Sequence, residues 1–144
     1  MMRAVRYLRT VPASEVLEVV DLPLPEPAPG HVRVHIFASG INPHDTKGRS
    51  GWAGRDVPEG GIVPHSDGAG VIEAVGAEVS PSRIGTRVYV LGAKTQGTAA
   101  EFVCVPSDYA PYLPDAISFA EGACIGVPAF TAWLALLADG PVTG

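Results

Sequence analysis

Glycine and proline interrupt this chain so often that long helices are excluded over most of its length. The 144 residues include 17 glycines and 14 prolines. Proline cannot donate a ladder hydrogen bond, and glycine permits tight turns, so both residues favour the ends of elements over their interiors. Between them, apolar and polar residues alternate with a period of two, as over residues 32–38. The pattern predicts six or more short strands joined by turns, as in an all-β barrel.

The positions of the glycines and prolines also predict where the individual strands and helices begin and end. Strands are predicted over residues 2–8, 16–22, 32–38, 68–75, 87–91 and 99–105. The proline-rich segment 23–30 is expected to be an extended surface crossover. Residues 48–61 hold five glycines and are expected to form a mobile loop over one face. Ser118 and Glu121 have the spacing of a helix-capping box, and a second helix is expected to start near Pro128.

Composition excludes several functional classes. The net charge is -5 and the sequence has no run of basic residues, so it does not predict a positively charged surface that would bind nucleic acid or acidic lipid. No apolar run approaches the ~18 residues of a membrane span, and the N-terminus lacks the apolar core of a signal peptide. The two cysteines, Cys104 and Cys124, form no metal or redox motif. These features predict a cytoplasmic protein with reduced thiols.

Four ordered sequence blocks are the most specific feature of the chain. Residues 40–76 contain Gly-Ile-Asn-Pro-His-Asp-Thr and, further on, Pro-His-Ser-Asp-Gly-Ala-Gly-Val-Ile-Glu-Ala-Val-Gly. This stretch resembles the catalytic-domain signature of the medium-chain dehydrogenase/reductase superfamily, in its quinone oxidoreductase (zeta-crystallin-like) branch. Residues 97–106, 113–115 and 123–133 are similar to later blocks of that family, in the same order.

The resemblance implies a mainly β fold: a GroES-like, partly open β-barrel with short helices. Residues 1–125 would form this catalytic domain. Residues 126–144 would form a linking helix and the start of a dinucleotide-binding (Rossmann) domain, before which the chain is truncated. The expected cofactor is NADPH, bound mainly by that missing domain. A homodimer is expected of the full-length protein, and the isolated chain is expected to be inactive.

The implied activity is hydride transfer from NADPH to a quinone or to the β-carbon of an α,β-unsaturated carbonyl compound (an enone). Two alternatives stay open. One is a polyketide-type enoyl reductase domain, which shares the barrel. The other is a non-catalytic binding module of the same fold, because the family includes crystallin-like and transport-associated members.

The positions that hold catalytic zinc in the zinc-dependent members of the superfamily have changed here. They carry a Cys and a His-Glu pair in those members and read Asn42, Ser66 and Asp67 in this chain. An amide is a poor zinc ligand and a serine hydroxyl would have to lose its proton. A rearranged cluster of His44, His65 and Asp67 is conceivable, but a shift of one residue along a strand reverses its face. The chain is therefore expected to be zinc-independent.

Asn42 and Asp67 are the predicted catalytic residues. An amide both donates and accepts, so Asn42 could hold the nicotinamide carboxamide, a ribose hydroxyl or the substrate oxygen. A compatible alternative is that Asn42 caps a helix opened by Pro43. Asp67 could orient Asn42 or a water molecule, or could simply form a turn beside Gly68.

The resemblance implies further contacts. The predicted cofactor-binding residues are Asn42, Asp45, Val127 and Thr131, and the predicted substrate-binding residues are Trp52 and Ser66. Each has a structural alternative. Asp45 could bond backbone amides of the following loop, Trp52 could fill the core, and Thr131 could bond back to a helix carbonyl.

One apparent nucleotide-binding motif is rejected. Residues 68–73 begin like the dinucleotide fingerprint G-x-G-x-x-G, but Glu73 replaces the third glycine. The residues that follow are β-branched and strand-like, whereas the fingerprint requires a helix whose N-terminus faces the phosphates. The glycines of this segment are expected to allow a bend in the barrel or a close approach of the backbone.

Overall fold

A computed structural model describes residues 1–52, 54, 56–93, 96–138 and 140 of the chain. The strands of these residues are β1 (Met2–Arg6), β2 (Glu18–Leu22), β3 (His31–Gly40), β4 (Asp67–Val75), β5 (Arg87–Val90) and β6 (Phe102–Pro106). The α-helices are α1 (Ala13–Val16), α2 (Pro43–Arg49), α3 (Phe119–Gly122) and α4 (Phe130–Leu137). A π-helical turn, Ile125–Ala129, leads directly into α4.

The strands form two open antiparallel sheets. The larger sheet has the order β5-β4-β3-β6, and β1 pairs with β2 in a separate hairpin. The hairpin is attached to the rest of the fold by Val5, whose amide donates to the Ala99 carbonyl at 2.8 Å. Four short helices accompany the sheets in the described part of the chain. The predicted mainly β, partly open barrel with short helices is confirmed.

The core follows from the period-two alternation. Val34 on β3 lies opposite Ile72 on β4 and Val103 on β6, and all three side chains are fully buried. The other members of this cluster are Val32, Val88, Val90, Val105 and Ala110. Burying a valine or isoleucine side chain stabilises a fold by roughly 1.5–3 kcal/mol, so this cluster holds the larger sheet together. A smaller cluster of Ala69, Leu113 and Ala123 joins α3 to the same sheet.

Several element boundaries differ from those predicted. The predicted turn between β1 and β2 contains the short helix α1, which begins directly after Pro12. The strand predicted over 99–105 begins only at Phe102, because the Ala99 carbonyl accepts from β1 instead. The helix predicted to start near Pro128 begins at Phe130 instead, because Pro128 lies inside the π-helical turn Ile125–Ala129. The predicted loop 48–61 includes Ala53 and Arg55, which lie outside the described residues.

The predicted capping box at the start of α3 is confirmed. The Ser118 hydroxyl accepts from the Glu121 amide at 3.2 Å, and the Glu121 carboxylate accepts from the Ser118 amide at 2.8 Å. This reciprocal pair satisfies two amides that the helix itself cannot bond. The helix is therefore fixed at the position where its residues pack on the sheet.

The last helix is apolar around its circumference and only partly covered. Its exposed large apolar side chains are Phe130, Trp133, Leu134, Leu136 and Leu137, between 38% and 65% exposed. Single exposed apolar residues are common on proteins, but a contiguous group of five is typical of a surface that binds something. No helix in the described ranges is both long enough and apolar enough to cross a membrane.

We expect the 144-residue chain to bind a hydrophobic fluorescent dye through α4, because this surface offers contiguous apolar area. Replacing Trp133 and Leu136 by serine should reduce the dye fluorescence strongly. The matched control is Val19→Ser, which removes an apolar side chain that is 72% exposed on β2, away from α4. Equal dye binding by all three proteins would contradict this interpretation of the helix.

Candidate functional site

The Asp67 carboxylate lies at the centre of the candidate site. It is the first residue of β4 and is fully buried, with 0% of its surface exposed. The Asn42 side-chain Nδ2 donates to Oδ2 at 2.8 Å, and the Val127 backbone amide donates to both oxygens at 3.0 and 2.9 Å. A buried carboxylate without such donors would be very unfavourable. The carboxylate thus joins the start of α2, the start of β4 and the π-helical turn.

Asn42 reaches Asp67 because it is the N-cap of α2. Its backbone is extended, with φ -114° and ψ 157°, and Pro43 occupies the first helical position. The Asn42 backbone amide donates to the Asp45 carboxylate at 2.7 Å. The capping alternative is therefore correct, and it coexists with the contact to Asp67. The Asp45 carboxylate thus accepts from Asn42, the residue before the helix, whereas the structural alternative for Asp45 was a bond to the loop after the helix.

Glycine is required at position 126 by the Asp67 carboxylate. A Cβ atom at this position would lie 2.3 Å from Oδ1 of Asp67 and 3.1 Å from the Val90 carbonyl oxygen. Both distances are shorter than van der Waals contact, so any side chain would displace the carboxylate or the turn. The missing side chain lets the turn come close enough for the Val127 amide to donate.

Burial is the main influence on the ionisation of Asp67. Desolvation raises the pKa of this carboxyl group above its ordinary value of 3.8, because burial penalises the charged form. The hydrogen bonds from Asn42 and Val127 act in the opposite direction, because they stabilise the charge. The nearby Asp45 raises the same pKa further, and His44 lowers it.

A second hydrogen-bond chain begins at the backbone carbonyl of Asp67. The buried Thr98 hydroxyl donates to that carbonyl, and the Ser39 hydroxyl lies 2.9 Å from the Thr98 hydroxyl. Nδ1 of His65 lies 2.9 Å from the Ser39 hydroxyl. Since Thr98 uses its proton on the carbonyl, Ser39 must donate to Thr98, and His65 must donate to Ser39 through Nδ1. The chain therefore fixes the tautomer of His65.

The backbone and the environment of His65 are both unusual. Its φ of 74° lies in the left-handed region, which non-glycine residues seldom adopt. Burial lowers the pKa of its imidazole below the ordinary value of 6.5, and Asp45 raises it by a smaller amount. The ring is thus favoured in its neutral form, with the proton on Nδ1.

His44 and Ser66 make a third set of contacts. Nε2 of His44 lies 2.8 Å from the Ser66 hydroxyl and 3.1 Å from Oδ1 of Asp45. Ser66 directly precedes Asp67, and His44 lies in the first turn of α2. The pair therefore lies beside the Asn42–Asp67 contact.

Trp52 and Thr131 are not drawn into this network. Trp52 is 77% exposed, and the Lys47 ammonium lies 5.4 Å from the centre of its ring. Trp52 therefore does not fill the core, which was one of the two predicted roles. Thr131 is exposed on α4, and the hydrogen bonds of the described residues include none from its hydroxyl.

The histidines do not form the rearranged metal cluster that the sequence left conceivable. His44 bonds Ser66 and Asp45, whereas His65 bonds Ser39. The carboxylate of Asp67 is occupied by Asn42 and Val127. Across residues 1–52, 54, 56–93, 96–138 and 140, no group of three or more His, Cys, Asp or Glu could hold a metal ion.

Ser39 and Thr98 were missed by the sequence reasoning. Their partners are distant along the chain: 26 residues separate Ser39 from His65, and 59 separate Ser39 from Thr98. The pairing of β3 with β4 brings Ser39 to this place, and the Thr98 amide donates to the His65 carbonyl at 2.9 Å. No local motif marks Ser39 or Thr98. The one usable signal was His65 itself, a histidine inside a glycine-rich block.

Comparison with known proteins identifies the family. The alcohol dehydrogenase GroES-like domain matches residues 28–115. The chain belongs to this family. It is 40% identical over 139 residues to a human quinone oxidoreductase, covering 95% of this chain and 41% of that protein. This likeness confirms the predicted quinone oxidoreductase branch of the medium-chain dehydrogenase/reductase superfamily.

Solved structures of GroES-like relatives agree with the fold. A mycobacterial protein in complex with NADPH matches with a TM-score of 0.85 and 31% identity, over 99% of this chain and 42% of that one. A human synaptic vesicle membrane protein VAT-1 homolog-like protein matches with a TM-score of 0.86 and 29% identity, over 98% and 44%. The chain spans about two fifths of the length of the curated relatives it matches.

We expect Gly126→Ala to destabilise the GroES-like domain by about 1–3 kcal/mol, because the new methyl group would collide with the Asp67 carboxylate. Gly48→Ala is the matched control, since a Cβ there meets nothing within 4 Å. Alanine favours helix over glycine, so the control should be neutral or slightly stabilising. Urea denaturation of both variants measures the difference. Equal stabilities would show that the turn can move away from Asp67 without cost.

We expect stability to depend on pH through Asp67. Its folded-state pKa is raised above 3.8, so the native state holds a proton that the unfolded state has released. The stability that this provides is complete below the unfolded pKa and is lost as pH rises through the folded pKa. Each pKa unit corresponds to about 1.4 kcal/mol.

Asp67→Asn is the control for this pH dependence, because its amide keeps the shape but does not titrate. The free energy of unfolding of the unmodified chain, minus that of Asp67→Asn, should fall as pH rises from roughly pH 4 to 7. Denaturant titrations of both proteins across this range give the comparison. A difference that is constant or rises with pH would contradict the assigned direction of the pKa shift.

Proposed function

We propose that this chain forms the catalytic domain of a zinc-independent, NADPH-dependent reductase that acts on quinones or enones. The observation that carries the proposal is the buried Asn42–Asp67 pair, held by the Val127 amide. It occupies positions that hold zinc ligands in the zinc-dependent members of the superfamily. The quinone oxidoreductase relatives and the structural neighbour solved with NADPH support it.

The donor set at these positions does not suit zinc. Asn42 turns its amide nitrogen toward Asp67, and a nitrogen that donates protons cannot bind a cation at the same time. Asp67 would have to give up its bonds to Asn42 and Val127 in order to bind metal. Ser66 offers a neutral hydroxyl that is already bonded to His44. Zinc at this site would therefore have to compete with all of these contacts.

The same groups fit the polar end of a nicotinamide cofactor. With its nitrogen bonded to Asp67 and one lone pair of its oxygen used in capping α2, Asn42 keeps a second oxygen lone pair as an acceptor for a carboxamide or a ribose hydroxyl. The exposed Thr131 hydroxyl and the Val127 segment are proposed to complete this contact, with Asp45 holding the start of α2. NADPH, when bound, supplies a hydride to the substrate.

The residues of the chain have separate roles in this proposal. Asn42 contacts the cofactor or the substrate oxygen. Asp67 contacts neither of them and contributes by orienting the Asn42 side chain. Ser66 is proposed to bond the substrate oxygen, where negative charge develops during reduction. Trp52 presents an exposed ring that could pack on a planar quinone. None of these roles requires a metal ion.

The proposed domain division places residues 1–125 in the catalytic domain and residues 126–144 in the segment leading to a dinucleotide-binding domain. The exposed apolar side chains of α4 support a further partner surface in that segment. Homodimerisation of the whole protein is part of the same proposal. The substrate is proposed to be a small quinone or enone.

We expect the protein expressed from its complete reading frame to reduce a simple benzoquinone with NADPH. Asn42→Ala should lower kcat/KM by about 100-fold, because a positioned hydrogen-bonding group is lost from the transition state. Ile41→Ala is the matched control, since it shortens the neighbouring exposed side chain. Stopped-flow or steady-state absorbance of NADPH measures all three proteins, and elemental analysis measures their zinc.

Three outcomes would contradict the proposal in different ways. Stoichiometric zinc that is lost in Asn42→Ala or Asp67→Asn would overturn zinc independence. Reduction of carrier-bound enoyl thioesters, with no reduction of quinones, would favour the polyketide-type alternative. A complete protein that binds a ligand but reduces neither would favour the binding module. Residues 1–144 alone are expected to show no turnover.

A further inference from the structure

The contacts of His44 include one hydrogen bond that the proposed function does not use. Its Nε2 atom lies between two oxygen atoms, the Ser66 hydroxyl at 2.8 Å and Oδ1 of Asp45 at 3.1 Å. The side chain is half exposed, at 50%, while that of Asp45 is almost completely buried. The imidazole therefore connects solvent to a hydroxyl group beside Asp67.

The Asp45 carboxylate determines where the proton of this bond lies. An ionised carboxylate has no proton to donate, and its negative charge 3.1 Å from Nε2 favours an N–H over a bare lone pair at this atom. Nε2 of His44 must therefore carry a proton. Asp45 is held in this position by the Asn42 backbone amide, which donates to its other oxygen at 2.7 Å.

The direction of the His44–Ser66 bond follows from that proton. Because Nε2 donates, the Ser66 oxygen must accept, and the Ser66 hydroxyl proton remains free to be donated elsewhere. Within the described residues, no acceptor for that proton is present. The Ser66 hydroxyl can therefore donate its own proton while its oxygen accepts a hydrogen bond from Nε2 of His44.

We propose that His44 supplies the proton that completes reduction of the substrate, and that Ser66 passes it on. The inference rests on the proposed reductase function. NADPH, when bound, would supply both electrons as a hydride, and the reduced substrate would then carry an oxyanion. The Ser66 O–H bond then breaks as its proton moves to that oxyanion. The His44 imidazolium loses its Nε2 proton to the Ser66 oxygen.

The number of protons is conserved in this transfer. Ser66 ends as a neutral hydroxyl, His44 as a neutral imidazole, and the substrate as a hydroquinone or an enol. The half-exposed ring of His44 then regains a proton from water. The carboxylates of Asp45 on α2 and Asp67 on β4 are the acidic groups that lie near the ring.

The other histidine of the site cannot replace His44 in this role. Nδ1 of His65 donates into the Ser39–Thr98 chain, and that chain ends at the backbone carbonyl of Asp67. A carbonyl oxygen accepts a hydrogen bond but does not pass a proton on. The His65 chain therefore supports the backbone at the first residue of β4, whereas the His44–Ser66 pair leads to a free hydroxyl donor.

The test uses the protein expressed from its complete reading frame, with NADPH and benzoquinone. His44→Ala should lower kcat by about 100-fold, in the range of general acid catalysis. Added imidazole should restore at least about a tenth of the lost rate, because the half-exposed cavity can admit it. Ser66→Ala should lose a similar factor without rescue by imidazole. His31→Ala is the control, since the His31 ring, at the start of β3, bonds the Pro29 carbonyl rather than a group of the site.

A spectroscopic measurement complements the kinetics. Histidine-selective nitrogen-15 labelling of the same protein should show a proton on Nε2 of His44 and a proton on Nδ1 of His65. Ser66→Ala should shift the His44 signals and leave those of His65 nearly unchanged. An Nε2 atom of His44 that carries no proton would overturn the relay whether or not the protein is a reductase.

The kinetic outcomes separate the relay from the proposed function. Reduction by the unmodified protein that is unchanged in His44→Ala would overturn the relay and leave the reductase function standing. Loss of activity in His44→Ala without imidazole rescue, together with rescue of Ser66→Ala, would also overturn it. No reduction by the unmodified protein would overturn both proposals.

Discussion

The burial of the Asp67 carboxylate is the constraint on which the arrangement of the site depends. A charge removed from water must be compensated by donors, and an uncompensated buried charge costs several kcal/mol. Here the donors come from Asn42 before α2 and from Val127 in the π-helical turn. Both segments must therefore dock where they do whenever β4 is formed. The requirement for glycine at position 126 is a consequence of the same contact.

The sheet register explains why two hydrogen-bond networks meet at one residue. In the pairing of β3 with β4, Gly40 lies opposite Asp67 and Ser39 lies opposite Gly68. Successive side chains of a strand point to opposite faces of the sheet, so the Asp67 side chain makes its contacts on one face only. Its backbone carbonyl accepts from Thr98, whose side chain packs against Gly68, where an added Cβ would lie 3.0 Å away. Asp67 thus holds both sets of contacts. Its side chain bonds Asn42, and its backbone carbonyl ends the hydrogen-bond chain that runs from His65 through Ser39 and Thr98.

The sequence was sufficient for the parts of the fold that local patterns control. Alternation predicted the buried faces of the strands, and spacing predicted the capping box at Ser118. Asn42 could be predicted as a helix cap from the proline that follows it. These features depend on residues a few positions apart, so they are visible without the fold.

The parts that could not be predicted depend on distant contacts. Asp67 and Val127 are 60 residues apart, and nothing in either segment marks the other. The left-handed backbone of His65 and the π-helical turn at residues 125–129 occupy positions whose sequence reads as ordinary loop and ordinary helix start. Trp52 was equally compatible with core and surface, because an aromatic residue beside glycines carries no information about its burial. Tertiary packing decides each of these cases.

Electrostatic compensation relates the residues at positions 42 and 67 to each other. Where a superfamily member binds zinc, the dication can neutralise a carboxylate at the site. Without that charge, a buried carboxylate has to find hydrogen-bond donors instead. An asparagine supplies such a donor, and a cysteine thiol does so only weakly. The Asn42 amide and the Asp67 carboxylate are therefore best understood as one coupled pair, in which the donor compensates the buried carboxylate.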